Sequence, residues 1–334
     1  TGKAKFGIFG DGKELPQLAM ARAFKNGDFR SGYYRDQTLM MALGYLTPKE
    51  FFHGLYATTD LEKEPMSAGR QMGGHFVTHS LNEDGSWKDL TAQKNSSADI
   101  SPTAEGHFFE TINAAGVLQV PMVISVWDDN YGISVHAKHQ TTKEDISEIL
   151  KGFQRTEKAK GYEILKVNGW DYTALIHAYE NASDIAREEH VPVLIHVKEL
   201  TQPQGHSTSG SHERYKSEAR LQWERDNDCN KRFREWILEI GIATDDELKA
   251  LEKDIRKNVR TAKKEAWNEF LNPHKIAKDE LLTILEKVNL SSPNKVFISR
   301  IKNDLIAIDE PIKKDLASKA RKALRYVLGE DSTA

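Results

Sequence analysis

One cysteine, Cys229, is all that the 334 residues contain. An internal disulfide is thereby excluded, as is a zinc site built on several thiolates, and the composition fits a reducing compartment. Long apolar runs are missing as well. No uninterrupted stretch could span a bilayer, and Thr1-Gly2-Lys3 opens the chain without the apolar core of a signal peptide. A cytoplasmic location is the resulting expectation. Neither sign of charge is in surplus: 47 Lys and Arg stand against 50 Asp and Glu. No bulk field draws the chain to nucleic acid or to an anionic membrane, so neither is expected as a partner. Internal repeats and low-complexity tracts are also lacking. The length suffices for two domains, or for one large α/β domain with a helical appendage.

What is present is a change of pattern along the chain. Residues 1 to 104 carry many Gly, Ser, Asp and Asn positions between short helical patterns such as Leu15 to Phe24 and Gln37 to Leu43. From Glu105 the periodicity predicts a helix to about Leu118, a strand over Pro121 to Trp127, a helix near Lys143 to Arg155 and a strand over Tyr162 to Val167. Asp171 can cap a helix running to Glu189, and Pro192 to Val197 is a further short β-branched run. Strands alternating with helices imply a parallel sheet. Beyond about Lys216 the chain is charged and helical, with Thr244-Asp245-Asp246-Glu247 resembling a capping box ahead of Leu248, Leu251 and Ile255.

The run Met122 to Val126 predicts a buried parallel strand, and it turns sharply into Asp128 and Asp129. In open α/β sheets ligands gather outside the carboxyl ends of the strands, where paired carboxylates suit a hard cation such as Mg²⁺ bridging to a diphosphate. An ordinary acidic turn is the alternative, since Asp and Asn favour turns. Gln202 to His212 follows the last predicted strand as a polar loop able to carry His206, and a histidine exchanges protons near neutrality. Serine and glycine also make plain linkers. Tyr33-Tyr34-Arg35-Asp36 places a planar guanidinium fork just before a helix, either for a phosphate or as a surface arginine. Ala68 to His75 is glycine-rich but matches neither the P-loop nor the dinucleotide spacing. Gly10-Asp11-Gly12 reads as a common turn.

Taken together these segments resemble the alpha chain of the thiamine-diphosphate-dependent decarboxylating component of 2-oxo acid dehydrogenase complexes, the pyruvate and branched-chain family. The order carries the likeness: Tyr34-Arg35-Asp36, Gly69-Arg70-Gln71-Met72 with His75, Ser101-Pro102, Glu105-Gly106 with Asn113 and Ala115, Asp128 to Ser134, Val167-Asn168-Gly169 with Asp171, and Gly205-His206-Ser207. It spans about residues 30 to 270 and is nearest to versions in which alpha and beta portions share one chain. The resemblance implies a thiamine-diphosphate-binding α/β domain over 1–215, with a central parallel sheet flanked by helices, and a helical C-terminal region over 216–334. It also implies residue roles. Tyr34 and Arg35 would contact the diphosphate, and the backbone of Ser101, Pro102 and Thr103 the aminopyrimidine. Glu105 and Gly106 belong with the cofactor-binding positions. Asp129 and the carbonyl of Tyr131 would bind Mg²⁺. His206 would lie over the cofactor as the catalytic histidine and steer acyl transfer to a lipoyl domain. Ser207 stands where some relatives are phosphorylated.

Three departures accompany the likeness. Relatives usually have paired asparagines where this chain has Asp128 and Asp129, which adds negative charge near a diphosphate and makes a metal more necessary. Gln204 replaces a second histidine. Ala104 runs directly into Glu105, whereas relatives place a long helix, a strand and the first half of the cofactor motif between those segments. Either half the diphosphate site is lacking or a segment is absent between these two residues. The second is favoured, because removing a strand from a parallel sheet exposes unpaired backbone and core surface.

The expected reaction is oxidative decarboxylation of a 2-oxo acid with transfer of the acyl group to a lipoyl domain. A beta chain or fused beta portion is required, in a dimer or heterotetramer-like assembly. Rival readings are another thiamine-diphosphate enzyme, of acetoin dehydrogenase or transketolase type, and a non-catalytic assembly subunit that has lost the cofactor.

Overall fold

The computed structural model describes residues 3–4, 7–71, 74–98, 103, 105–206 and 212–330. The N-terminal part is an arm of short elements laid against the main sheet: helix α1 (Glu14–Ala23), strand β1 (Phe29–Gly32), helices α2 (Gln37–Ala42) and α3 (Pro48–Tyr56), and strand β2 (Asn95–Ala98). Thr47 and Glu50 cap α3 reciprocally, with Pro48 in the first turn where its missing N–H costs nothing. Strands β1 and β2 pair in parallel, Phe29 opposite Asn95. Leu39 and Met40 of α2 join Leu46 and Phe76 in a small core of their own.

The main sheet comes next. Helix α4 (Gly106–Leu118) precedes strand β3 (Val123–Trp127), the short hairpin strands β4 (Tyr131–Gly132) and β5 (Val135–His136), helix α5 (Ile146–Ile149), strand β6 (Glu163–Asn168), helix α6 (Tyr172–Asp184) and strand β7 (Val193–Lys198). The sheet order is β3-β7-β6, all parallel, with Val193 opposite both Val123 and Glu163. β7 is therefore central, and Val193 to Val197 are all buried. Its alternation divides two cores. Val193, Ile195 and Val197 pack with Leu15 and Ala19 of α1 and Leu175, Tyr179 and Ala182 of α6. Leu194 faces the other way, onto Ile112 and Ala115 of α4, Ile146, Leu150 and Tyr162.

Two sequence expectations change in detail. The helix foreseen over Lys143 to Arg155 is broken into a 3₁₀ turn at Thr142–Glu144, the single turn α5 and a second 3₁₀ turn at Leu150–Phe153. Lys143 and Glu144 take positive φ, and the Asp145 carboxylate then caps a fresh start by accepting from the Glu148 amide at 3.1 Å. Beyond Phe153 the backbone pairs instead with Tyr162, Arg155 N–H to its carbonyl at 2.8 Å. Helix α6 is capped by Asp171 as expected, but its last turn, Ile185–Glu189, widens to π geometry before His190 closes it with positive φ.

The strand expected to be buried over Met122 to Val126 is instead β3 at the sheet's edge, covered by β7 on one side. All five of its residues are half-exposed, and among the described residues no strand pairs with its outer side. Val117 and Leu118 at the end of α4 are exposed as well.

The C-terminal region is helical: α7 (Glu218–Asp226), α8 (Cys229–Glu239), α9 (Asp245–Ser291), α10 (Lys295–Ile306) and α11 (Lys313–Tyr326). Thr244 and Glu247 form the foreseen capping box of α9, whose 47 residues extend about 70 Å. Its middle packs on α3 through Trp267 and Phe270 against Tyr56, and His53 lies buried between Thr58 and Glu269. Its last turns form a separate core with α10 and α11 around Leu285, Val288, Ile298, Ile301, Leu305 and Ala323. No helix among the described residues is long and apolar enough to cross a membrane.

Cys229 opens α8 beneath α1, where its thiol donates to Glu14 Oε2 at 3.2 Å. Burial, then the Glu14 charge, push the thiol far above its ordinary range. The thiolate is the reactive form. Native protein at pH 8 should therefore resist iodoacetamide and react only after denaturation, as intact-mass spectrometry would record; rapid labelling without unfolding would contradict this packing.

Candidate active site

Four segments meet beyond the carboxyl ends of β3 and β7. The first is Asp128 to Tyr131, where β3 ends. The Asp128 amide is still held by the Val197 carbonyl at 2.9 Å, so the two strand ends leave the sheet together. The Asp128 carboxylate is taken up internally: it lies 2.9 Å from Nε2 of the buried His196 and accepts from the Asn130 amide at 2.8 Å. Asp129 points elsewhere. Its Oδ1 accepts from the Tyr131 amide at 3.0 Å, and its Oδ2 from the Lys13 ammonium at 2.9 Å.

Lys13 arrives from the N-terminal arm. Besides Asp129 it donates to the Thr201 carbonyl at 3.0 Å and to Gln202 Oε1 at 2.5 Å, so the buried ammonium has all three protons engaged. Gly12, with φ of +83°, lets the arm come this close: a Cβ there would lie 2.3 Å from Thr201 Oγ1. That hydroxyl is buried and has no hydrogen-bond partner among the described residues.

Tyr34 and Arg35 form the third segment. A buried ion pair between Arg30 and Asp36 anchors it, and Asp36 also accepts from the Tyr33 amide at 2.8 Å. Arg35 then bridges two segments, donating to the Phe9 carbonyl at 2.8 Å and to the His206 carbonyl at 2.6 Å. The same guanidinium lies 3.1 Å from His206 Nδ1. Arginine only donates, so Nδ1 must accept and the proton of the neutral ring sits on Nε2. Burial and then the Arg35 charge lower the His206 pKa, with Asp129 opposing. Tyr34 is joined through its hydroxyl to Tyr33 at 2.6 Å and stands edge-on to His75.

The fourth segment, Lys216 to Glu224, enters from α7. Lys216 donates to both Glu224 oxygens at 2.8 and 2.9 Å and to the Gln202 carbonyl at 3.2 Å. Arg220 bonds Glu224 at 2.9 Å and the Asp129 carbonyl at 2.9 Å. Both cations lie near the Tyr131 ring, at 5.4 and 5.7 Å from its centroid. Burial lowers the Lys216 pKa against the pull of Glu224. For Asp129, burial is outweighed by Lys13 and then by the Tyr131 amide, so its carboxyl stays below the ordinary range.

The fold thus assembles Tyr34, Arg35, Asp129, Tyr131 and His206. Glu105 and Gly106 are exposed at the start of α4, where Glu105 is 3.4 Å from His107 and outside the cluster. Thr103 is a half-buried turn residue. Ser101, Pro102 and Ser207 lie outside the described residues. Sequence reasoning missed Lys13, Lys216, Arg220 and Glu224. Only the four-residue step from Arg220 to Glu224 was a visible signal; Lys13 meets partners more than a hundred positions away.

Four cations, Lys13, Arg35, Lys216 and Arg220, face two carboxylates, Asp129 and Glu224. That donor set fits a diphosphate. The fit to a divalent metal is poorer, because Asp129 already holds an ammonium and Asp128 is committed to His196. No cluster of three metal-ligating side chains occurs among the described residues.

Residues 98–274, just over half of the chain, match the family described as "Dehydrogenase E1 component". The chain belongs to that family. It is similar to the 2-oxoisovalerate dehydrogenase subunit alpha 1 of Arabidopsis thaliana, 26% identical over 282 residues that cover 78% of this chain and 57% of that protein. It is also similar to the 2-oxoisovalerate dehydrogenase subunit alpha of Bacillus subtilis, at 25% over 80% of this chain and 84% of that one, and to the pyruvate dehydrogenase E1 component subunit alpha of Rickettsia prowazekii, at 24% over 81% and 84%. This E1 chain therefore spans little more than half the length of the plant relative.

The histidine geometry sets a pH expectation. The folded protein resists protonating His206 more than the unfolded chain does, so its contribution to stability is complete above about pH 6.5 and declines as pH falls. NMR titration should place the His206 midpoint below that of a free histidine, and Arg35→Gln should raise it; a midpoint unmoved by the variant would remove Arg35 as a cause. For Lys13→Met the loss of one partner from a buried pair should lower stability by about 3 kcal/mol, read by urea unfolding. A change under about 0.5 kcal/mol would make the pair a surface-like contact.

Proposed function

We propose that this chain is the alpha portion of a thiamine-diphosphate-dependent 2-oxo acid dehydrogenase, decarboxylating its substrate and passing the acyl group to a lipoyl domain. One observation carries the reading: Arg35 holds His206 at the mouth of a cation-rich cluster beyond the ends of β3 and β7. Family membership supports it, and the relatives' names point to branched-chain or pyruvate-type 2-oxo acids. Arg35 and Arg220 would hold the diphosphate, with Lys13 and Lys216, whose protons are engaged within the protein, adding positive charge behind them. Thiamine diphosphate, when bound, supplies the electron sink for loss of carbon dioxide. The chain's own groups bind and orient it and manage protons. With Nδ1 occupied by Arg35, His206 presents Nε2–H outward, where it can donate a hydrogen bond to the thiolate released when a lipoyl disulfide opens and its partner sulfur takes the acyl group.

A beta chain or fused beta portion would complete the site, since no carboxylate of the cluster is free to act on the aminopyrimidine. The open edge of β3 and the exposed Val117 and Leu118 support a further strand-bearing segment between Ala104 and Glu105, which would also bring Glu105 and Gly106 into a complete site. For Mg²⁺, Asp129 with the Tyr131 carbonyl remains the candidate. The metal would have to displace Lys13 from the carboxylate. That pair equally favours a second reading, an assembly subunit in which Lys13 has replaced the metal and the cofactor is not bound.

Calorimetry on the complete alpha–beta assembly separates the two. Thiamine diphosphate should bind with Mg²⁺ and lose affinity with chelator, and Asp129→Ala should abolish binding while the fold survives; absence of binding under both conditions would favour the assembly reading. Within the enzyme, His206→Ala should depress reductive acylation of the lipoyl domain by about a hundredfold or more and leave the melting temperature nearly unchanged. Acylation at the parent rate would remove the histidine from the chemistry.

A further inference from the structure

The first twenty residues of α9, 245 to 264, project away from the rest of the protein. Of these only Leu248 and Ala262 are even half-buried. A helix of this length surrounded by water is marginal alone, because most helical stability in proteins comes from packing one apolar face. This segment has such a face. Leu248, Leu251, Ile255, Val259, Ala262 and Ala266 follow at steps of three or four residues, which at about 3.6 residues per turn keeps them in one straight stripe. Where the stripe reaches the region of α3, Ala266 is fully buried. Before that point it is bare: Leu251 is 56%, Ile255 50% and Val259 37% exposed. The apolar seam runs past the edge of its own core.

The charges beside the seam indicate what covers it. Along one flank, within about 40° of arc at 100° per residue, lie Asp245, Glu252, Arg256 and Lys263, two acids followed by two bases. Two copies of this helix laid antiparallel about a two-fold axis at Asp254 bring like flanks together. Asp245 then stands opposite the other copy's Lys263, and Glu252 opposite its Arg256. Both pairs share one centre, so a single register satisfies both. The other flank carries Glu247, Asp254 and Glu265; in this register Glu247 and Glu265 face the uncharged Thr261 and Ala243 of the other copy, and Asp254 faces its own counterpart, one unfavourable contact against four opposite-charge ones. A parallel pair would set Asp245 beside Glu247 and Glu252 beside Asp254, like against like. Within the chain Asp245 and Glu252 are paired with Arg234, and also with Lys249 and Arg256 respectively, at the solvent-exposed surface. Such pairs are weak, so the charges set direction and register while the seam supplies the attraction.

We propose that residues 245–264 form an interface between two copies of this chain, packed antiparallel about a two-fold axis near Asp254. This isologous contact is self-complementary, and it is independent of whether the cofactor site is complete.

Sedimentation velocity on the full chain across the micromolar range should show a reversible dimer. Ile255→Glu changes an exposed position and should give a monomer whose helical circular dichroism falls by no more than the share of these twenty residues. Glu252→Lys should weaken the dimer, and adding Arg256→Glu to it should restore it. Because Cys229 is buried, direction can be read by cross-linking. An equimolar mixture of Leu248→Cys and Val259→Cys chains should form a mixed disulfide, and neither variant should link to itself. A wild-type chain that stays monomeric, or a dimer indifferent to Ile255→Glu, overturns the interface; self-linking by Leu248→Cys overturns its direction.

Discussion

Three segments distant in sequence are held together by one buried ammonium. Lys13 joins the N-terminal arm to the turn after β3 through Asp129 and to the exit of β7 through Thr201 and Gln202. Everything else in the cluster is arranged around that junction. Gly12 must lack a side chain for the arm to approach, Arg35 then reaches His206, and Arg220 closes the far side on the Asp129 carbonyl. A buried lysine is tolerable only when its protons are all taken and an opposite charge is near, and both conditions are met here. The same contact sets the central chemical tension of the site. The carboxylate best placed for a metal is the one that neutralises Lys13.

Much of the framework was legible in the sequence because it depends on local pattern. The β-branched run Pro192 to Val197 announced a strand, and Asp171 and Thr244 announced helix starts that their side chains do cap. The break at Lys143 to Arg155 was hidden, since nothing local outweighs the backbone pairing of Phe153 and Arg155 with Tyr162. In the site, Arg35, Asp129, Tyr131 and His206 were visible through the resemblance and are brought together. Lys13 was not, because a lysine after a glycine turn looks like any surface lysine until the fold buries it. Lys216 and Glu224 were likewise indistinguishable from the charged helical region that begins there.

The two faces of the sheet divide the labour. On the α6 side the core is almost wholly apolar and takes in α1 and Cys229. On the α4 side His196, buried in the central strand, ties Asp128 at 2.9 Å to Ser147 at 2.9 Å. Asp145 stands next to it, and although burial opposes its charge, bonds from Lys198 and Ser147 keep that carboxyl well below the ordinary range. This polar network fixes how β3 leaves the sheet, and so where Asp129 points.

The side of β3 on which no strand pairs among the described residues has a colloidal consequence. Val-Ile-Ser-Val-Trp carries no charge, no proline and no bulge, the devices by which exposed strands are usually blunted. Its free N–H and C=O groups are a template onto which any extended segment can dock, in solution or during synthesis. Whatever strand covers that row of backbone groups also removes the template for pairing with other chains.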